Sequence, residues 1–203
     1  MTTVRYQPEL HRPEAFTREP LGWVPWLEPL AKEELTDRHY AGLVERTRAD
    51  FAYFRLLARD PELLAARTRL DNDIFFTEDG GLPRAERELA AAAASRVNGC
   101  VFCASVHARA AARLSGRPED VDRLLDEGTG AELGERWEAI VAAAEALTAT
   151  PVRFGHGHVE RLRAAGLGDD EILDVIGGAA FFNWANRLML TLGEPEVPAR
   201  RRS

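Results

Sequence analysis

The 203-residue chain (22.5 kDa) is 45% hydrophobic, enough for a sizeable buried core in one domain, and it does not read as disordered. Its formal charge of −7 and pI near 5.3 exclude the basic face that nucleic-acid binding requires. Lys32 is its one lysine among 26 basic residues; with so much alanine, this reads as the coding bias of a GC-rich genome and carries no function.

Residues 1–35 form an arm in which Pro8, Pro13, Pro20, Pro25 and Pro29 interrupt any helix. Trp23 and Trp26 give the arm large apolar surfaces, so it is expected to lie on its own core or on a neighbouring subunit. Met1 to Leu10 has no apolar run behind a basic start, so no secretory signal is expected. No stretch reaches the roughly 18 apolar residues of a membrane span. The expectation is a cytoplasmic protein bound to neither membrane nor nucleic acid.

Thr36 is the N-cap of a predicted helix over 37–58, whose apolar stripe contains Tyr40, Leu43, Val44, Phe51, Phe54 and Leu57. Asp60-Pro61 starts a second helix, to about Phe76, and the stretch Thr77 to Pro83 is a loop. An Ala-rich helix follows from Arg84 to Val97, then one from Cys100 to Leu114. Shorter segments over 118–126, 133–149 and 156–165 lead to a last helix over 169–192. The spacing predicts no strand. The fold class is therefore all-α, a single helical domain over 36–193 with a solvated tail over 194–203.

Both cysteines lie in Asn98-Gly-Cys100-Val-Phe-Cys103-Ala-Ser-Val-His107. Asn98-Gly99 interrupts the helical pattern, as a left-handed helix end does, so Cys100 opens a new helix. Cys100, Cys103 and His107 then share one face. A thiol at a helix N-terminus meets unpaired N–H groups and the positive end of the dipole, and such thiols can fall from a pKa of roughly 8.5 to about 3.5–7.5. The plain structural reading is two buried small hydrophobes at i and i+3. The aligned histidine weighs against it. Zinc is a second reading, but a structural site wants four ligands, no second Cys-x-x-Cys or His-x-x-x-His follows, and His156-Gly-His158 could be brought in only by folding. In a reducing compartment the pair reads first as redox chemistry.

The run Glu88-(eleven residues)-Cys100-x-x-Cys103-x-x-x-His107 resembles the alkyl hydroperoxidase D / carboxymuconolactone decarboxylase superfamily, most closely its peroxidase-related branch. Gly166-Leu167 and the segment Phe182-Asn183-Trp-Ala-Asn186-Arg187 are similar to the stretch that closes those domains. The resemblance implies a subunit of the alkyl hydroperoxidase D-like type, with the motif at the start of a central helix, assembling into trimers or hexamers. It implies reduction of organic hydroperoxides, with Cys103 the peroxidatic thiol, Cys100 the resolving thiol, and His107 and Glu88 a water-assisted relay that takes the proton from Cys103. No bound cofactor and no metal are expected. An external dithiol of the lipoyl type would restore the pair.

Position alone does not separate Glu88 from Glu86, and the helix-terminus argument makes Cys100 rather than Cys103 the more acidic thiol. Phe102 stands where peroxidase members of the family carry a histidine, which implies a weaker peroxidase or bulkier, apolar substrates. Asn183, Asn186 and Arg187 are expected to hydrogen-bond inside the fold or at a subunit contact, with Arg187 a further substrate-binding candidate. The alternatives are a dithiol–disulfide exchanger or redox sensor without peroxide turnover, and a carboxymuconolactone decarboxylase-like enzyme.

Overall fold

The computed structural model describes residues 9–77 and 81–199. Part of the predicted loop (78–80), the first eight residues of the arm and the arginines 200–202 of the tail lie outside the described residues. In chain order the elements are β1 (Gly22–Pro25), a 3₁₀ turn (Lys32–Glu34), α1 (Asp37–Leu43), a second 3₁₀ turn (Arg46–Asp50), α2 (Ala52–Leu57), α3 (Pro61–Phe76) and α4 (Arg84–Asn98). They continue with α5 (Val101–Ser115), α6 (Pro118–Glu127), α7 (Glu135–Thr148), α8 (His156–Ala164), α9 (Asp169–Leu192) and β2 (Gly193–Glu196).

The all-α expectation holds, with two corrections. The predicted helix over 37–58 is broken. Val44 adopts φ 64 and ψ −51, and the Glu45 N–H donates to the Leu43 carbonyl at 2.7 Å, a γ-turn of the strained, positive-φ hand. The apolar stripe runs through the break, which is why periodicity misses it. Nor is the chain strand-free, because β1 and β2 pair antiparallel, Trp23 opposite Pro195. Each strand has only four residues, with proline and glycine among them, so neither shows alternation. Gly193 to Glu196, placed partly in a solvated tail by the sequence, is thus a strand.

Two compact units divide the described chain. The first contains residues up to Pro13, Leu21–Asp73 and Met189 onward. Here Trp23 meets the edge of Tyr53 at 5.3 Å, the Trp26 N–H donates to the Leu192 carbonyl at 2.9 Å, and Leu43, Ala49, Ala58 and Leu64 form a small buried cluster. The second contains Glu14–Pro20 and Ile74–Leu188. Its centre is α4, in which the ten residues from Glu86 to Ser95 are all buried. Alanine makes this possible: Ala90 to Ala94 present no bulk, so neighbouring helices approach the backbone from every side. Ala104, Ala108 and Ala111 of α5, Ile140 and Val141 of α7 and Val175 of α9 complete that core.

Candidate functional site

The site is built at the corner between α4 and α5. Gly99 has φ 76, its N–H donates to the Arg96 carbonyl at 3.4 Å, and the Cys100 N–H donates to the Ser95 carbonyl at 2.9 Å. These two bonds are the Schellman pattern. A Cβ at Gly99 would meet nothing within 4 Å, so it is the left-handed backbone and not space that calls for glycine. Cys100 is the N-cap of α5, its carbonyl accepting from the Ala104 N–H at 2.9 Å. The helix break therefore falls within a residue of where Asn98-Gly99 predicts it.

This corner brings the two sulfurs to 3.0 Å from one another, both outside any disulfide and both buried, Cys100 1% and Cys103 5% exposed. An approach of about 1 Å would close them to disulfide length. The Cys103 thiol holds the Cys100 thiol below its ordinary pKa. Burial pushes the other way, and the Cys103 backbone N–H and the Asn186 amide add to the lowering. Cys100 is thus set up to hold negative charge, as its helix-terminal position predicts.

One turn beyond Cys103, His107 is 8% exposed and its Nδ1 lies 2.7 Å from Glu88 Oε2. Glu88 is itself buried, and its Oε1 accepts from Arg84 at 3.3 Å. A buried carboxylate at this distance holds the proton on Nδ1 and leaves Nε2 as the basic nitrogen. Phe182 meets the imidazole edge at 4.0 Å and Phe75 stacks on it at 5.2 Å, which fixes the ring plane. Glu86 does something else: it forms a bidentate pair with Arg136 at 2.8–3.1 Å. Helical register turns the two glutamates to different neighbours.

Residues 61–146 match the family model described as the carboxymuconolactone decarboxylase family. The fold is similar to an uncharacterized peroxidase-related protein from Silicibacter sp. TM1040, at 28% identity and TM-score 0.62 over 70% of this chain and 75% of that one. It is also similar to the alkylhydroperoxidase AhpD core of a peroxidase-related protein from Ralstonia eutropha JMP134, at 23% identity and TM-score 0.69 over 89% and 92%. A third similar structure is the putative antioxidant defence protein AhpD ATU0492 from Agrobacterium tumefaciens, at 26% identity and TM-score 0.53 over 66% and 89%. No curated protein matches the sequence. The family-model match over residues 61–146 agrees with the resemblance that the Glu88, Cys100, Cys103 and His107 run carries.

The segment Phe182 to Arg187 on α9 reaches the corner. Asn98 Nδ2 donates to Asn183 Oδ1 and to Asn186 Oδ1, both at 3.1 Å, and Asn186 Nδ2 donates to Ser95 Oγ at 3.0 Å. Arg187 Nε donates to Asn183 Oδ1 at 3.3 Å, so the hydrogen bonds expected of these three residues are present within the fold. Phe102 sits on the first turn of α5, half-buried, its carbonyl accepting from Ser105 Oγ at 2.8 Å.

A cleft of about 440 Å³ is bounded by Phe75, Phe76, Leu82, Pro83 and Arg84 among others. Two of these also touch the relay, Phe75 through His107 and Arg84 through Glu88. Sequence reading did not single out either. Arg84 stands four residues before Glu88, a spacing at which helical ion pairs form; Phe75 had no such signal, because only tertiary packing brings it to His107. The possible zinc ligands are not gathered: among the described residues no group of three or more His, Cys, Asp or Glu could hold a metal ion. Among those same residues no helix is long and apolar enough to cross a membrane.

Proposed function

We propose that this chain is a thiol-dependent peroxidase that reduces organic hydroperoxides through a Cys100/Cys103 dithiol–disulfide cycle. The observation that carries the reading is the juxtaposition of a dithiol at a helix start with an imidazole one turn away whose Nδ1 is committed to a buried glutamate. The Cys103 thiol, one helical turn before His107, carries the proton to be removed. Nε2 of His107, through a water, removes it. The Cys103 thiolate attacks the distal peroxide oxygen, the O–O bond breaks, and the alcohol leaves with the proton that the imidazole returns. Cys100 thiolate then attacks the sulfenic sulfur, forming the disulfide and displacing hydroxide, which takes a proton from solvent to become water. An external dithiol of the lipoyl type reduces the disulfide by exchange, so no bound cofactor takes part. A homo-oligomer, trimer or hexamer, working in the cytoplasm remains part of this proposal.

The test is peptide mass spectrometry of the reduced protein after stoichiometric cumene hydroperoxide, with dimedone as sulfenate trap, on wild type, Cys100→Ser and Cys103→Ser. A Cys100–Cys103 disulfide in wild type and a trapped sulfenate on Cys103 in Cys100→Ser are expected. A sulfenate on Cys100 reverses the polarity. No oxidation removes the peroxidase reading in favour of the dithiol–disulfide exchanger, a reading that the lowered pKa of Cys100 also suits.

A further inference from the structure

Arg84 opens α4, where local helix preference argues against it. A cation in the first turn faces the positive end of the helix dipole, and arginine four residues before glutamate is the weaker order of an i,i+4 pair. Yet Arg84 Nε and Nη2 each lie 3.3 Å from Glu88 Oε1, and its guanidinium is stacked over the Phe76 ring at 4.1 Å. Oε2 is left to His107 Nδ1 at 2.7 Å, so the two oxygens of one carboxylate serve two partners. Burial is uneven across the pair: the Glu88 side chain is 4% exposed and that of Arg84 37%. Arg84 is thus the end of the row Arg84–Glu88–His107 that borders the cleft.

We propose that Arg84 is a positioning residue of the relay, whose charge balances that of Glu88 so that His107 is held neutral and ready to take the Cys103 proton. The proposal rests on the peroxidase reading above. A buried carboxylate beside a neutral imidazole leaves one negative charge in a poorly solvated place, and such a pair relieves it by binding a proton on the imidazole. An imidazolium has no free nitrogen with which to accept another. Arg84 supplies the balancing positive charge from the cleft side, and Nε2 stays available. Among the described residues no second arginine or lysine pairs with Glu88. Arg87 is committed to the Leu82, Ile74 and Thr77 carbonyls and to Asp174 of α9 at 3.4 Å, and Arg136 of α7 to Glu86 and Glu171. From the other sides α3 and α9 bring the uncharged rings of Phe75 and Phe182 to the imidazole, and α5 brings the titratable Cys103 thiol one turn earlier.

The experiment titrates the His107 ring nitrogens by NMR in reduced, ¹⁵N-histidine-labelled wild type, Arg84→Met and Arg84→Lys, with the signals assigned by their loss in His107→Gln. No peroxide is needed. Methionine keeps an apolar stem against Phe76 and removes the charge; lysine restores the charge without the fork. Wild type should show a neutral ring protonated on Nδ1 at pH 7. In Arg84→Met the midpoint of imidazole charging should rise by at least about one pH unit, as expected for removal of a nearby like charge, and in Arg84→Lys it should return most of the way. Midpoints that coincide in wild type and Arg84→Met overturn the proposal, as does an Arg84→Lys that titrates like Arg84→Met or a wild-type ring that is charged at pH 7. The same proteins are then oxidised with cumene hydroperoxide across the same pH range. Because the neutral ring is the proton acceptor, the acid limb of Cys103 oxidation should move to higher pH in Arg84→Met, in step with the midpoint. A peroxidase whose acid limb ignores Arg84 overturns this proposal and leaves the peroxidase reading standing. An imidazole that follows Arg84 in a chain that peroxide does not oxidise supports the charge balance and sinks the peroxidase reading alone.

Discussion

Glu86 and Glu88 are two residues apart on α4, both buried and both paired with a cation or an imidazole, yet only Glu88 touches His107. Removing charge at each should therefore separate relay from scaffold. Glu88→Gln keeps the shape but no longer favours protonated Nδ1, and peroxide-driven oxidation of Cys103 should slow by about 10²- to 10⁴-fold, the usual worth of a positioned acid–base group. Disulfide formation with diamide should be unchanged. Glu86→Gln should leave both rates alone and lower stability through Arg136. Equal peroxide rates in wild type and Glu88→Gln, measured by stopped-flow tryptophan fluorescence, would exclude the relay. None of this distinction was legible in the sequence, where an Ala-rich helix offers two glutamates and no neighbour; the Cys-x-x-Cys and the aligned histidine were legible because they are local.

At the scale of elements, the punctuation carried most of the information. Gly99, Pro118 and Gly166 mark helix ends within a residue or so, because each answers a backbone requirement that no distant contact can change. The break at Val44 and the β1–β2 pair escaped for the opposite reason. A valine at positive φ is disfavoured locally, and two four-residue strands owe their pairing to contacts such as Trp23 over Gly193, far apart in sequence. Gly99→Ala should cost about 1 kcal/mol in chemical denaturation, the left-handed penalty alone, since no neighbour obstructs the added methyl. Gly99→Asn should cost less. At Gly193 a methyl would overlap the Trp23 ring and the Val24 carbonyl, so Gly193→Ala should exceed the Gly99→Ala loss. The reverse order would mean that the strand pair does not form in solution.

Across the whole molecule the ion pairs set the acid limit. Arg136 on α7 ties Glu86 of α4 to Glu171 of α9, both at 2.8 Å, and its own pKa is raised. The Gly168 N–H, followed by Arg136, holds the Glu171 carboxyl below its usual range against the opposing effect of burial, and Arg18 does the same for Asp122. A carboxylate with a depressed folded pKa contributes stability that is fully present above its unfolded pKa, about 4.3 for glutamate, and that disappears as pH falls through the folded value. Glu171→Gln should therefore destabilise at pH 7 by up to about 1 kcal/mol and show a shallower loss between pH 5 and pH 3 in urea titrations. Parallel wild-type and variant acid limbs would contradict it.

The two phenylalanines around His107 make the relay visible without any label. Aromatic ring currents shift the resonances of nearby protons, and this imidazole has Phe182 at 4.0 Å and Phe75 stacked on it. Of the five histidines, His107 should have Cε1–H and Cδ2–H signals set furthest apart from those of the exposed His11 and His156 and the half-buried His39. A one-dimensional proton spectrum recorded while peroxide is added would then follow the protonation of one nitrogen pair through each half of the cycle.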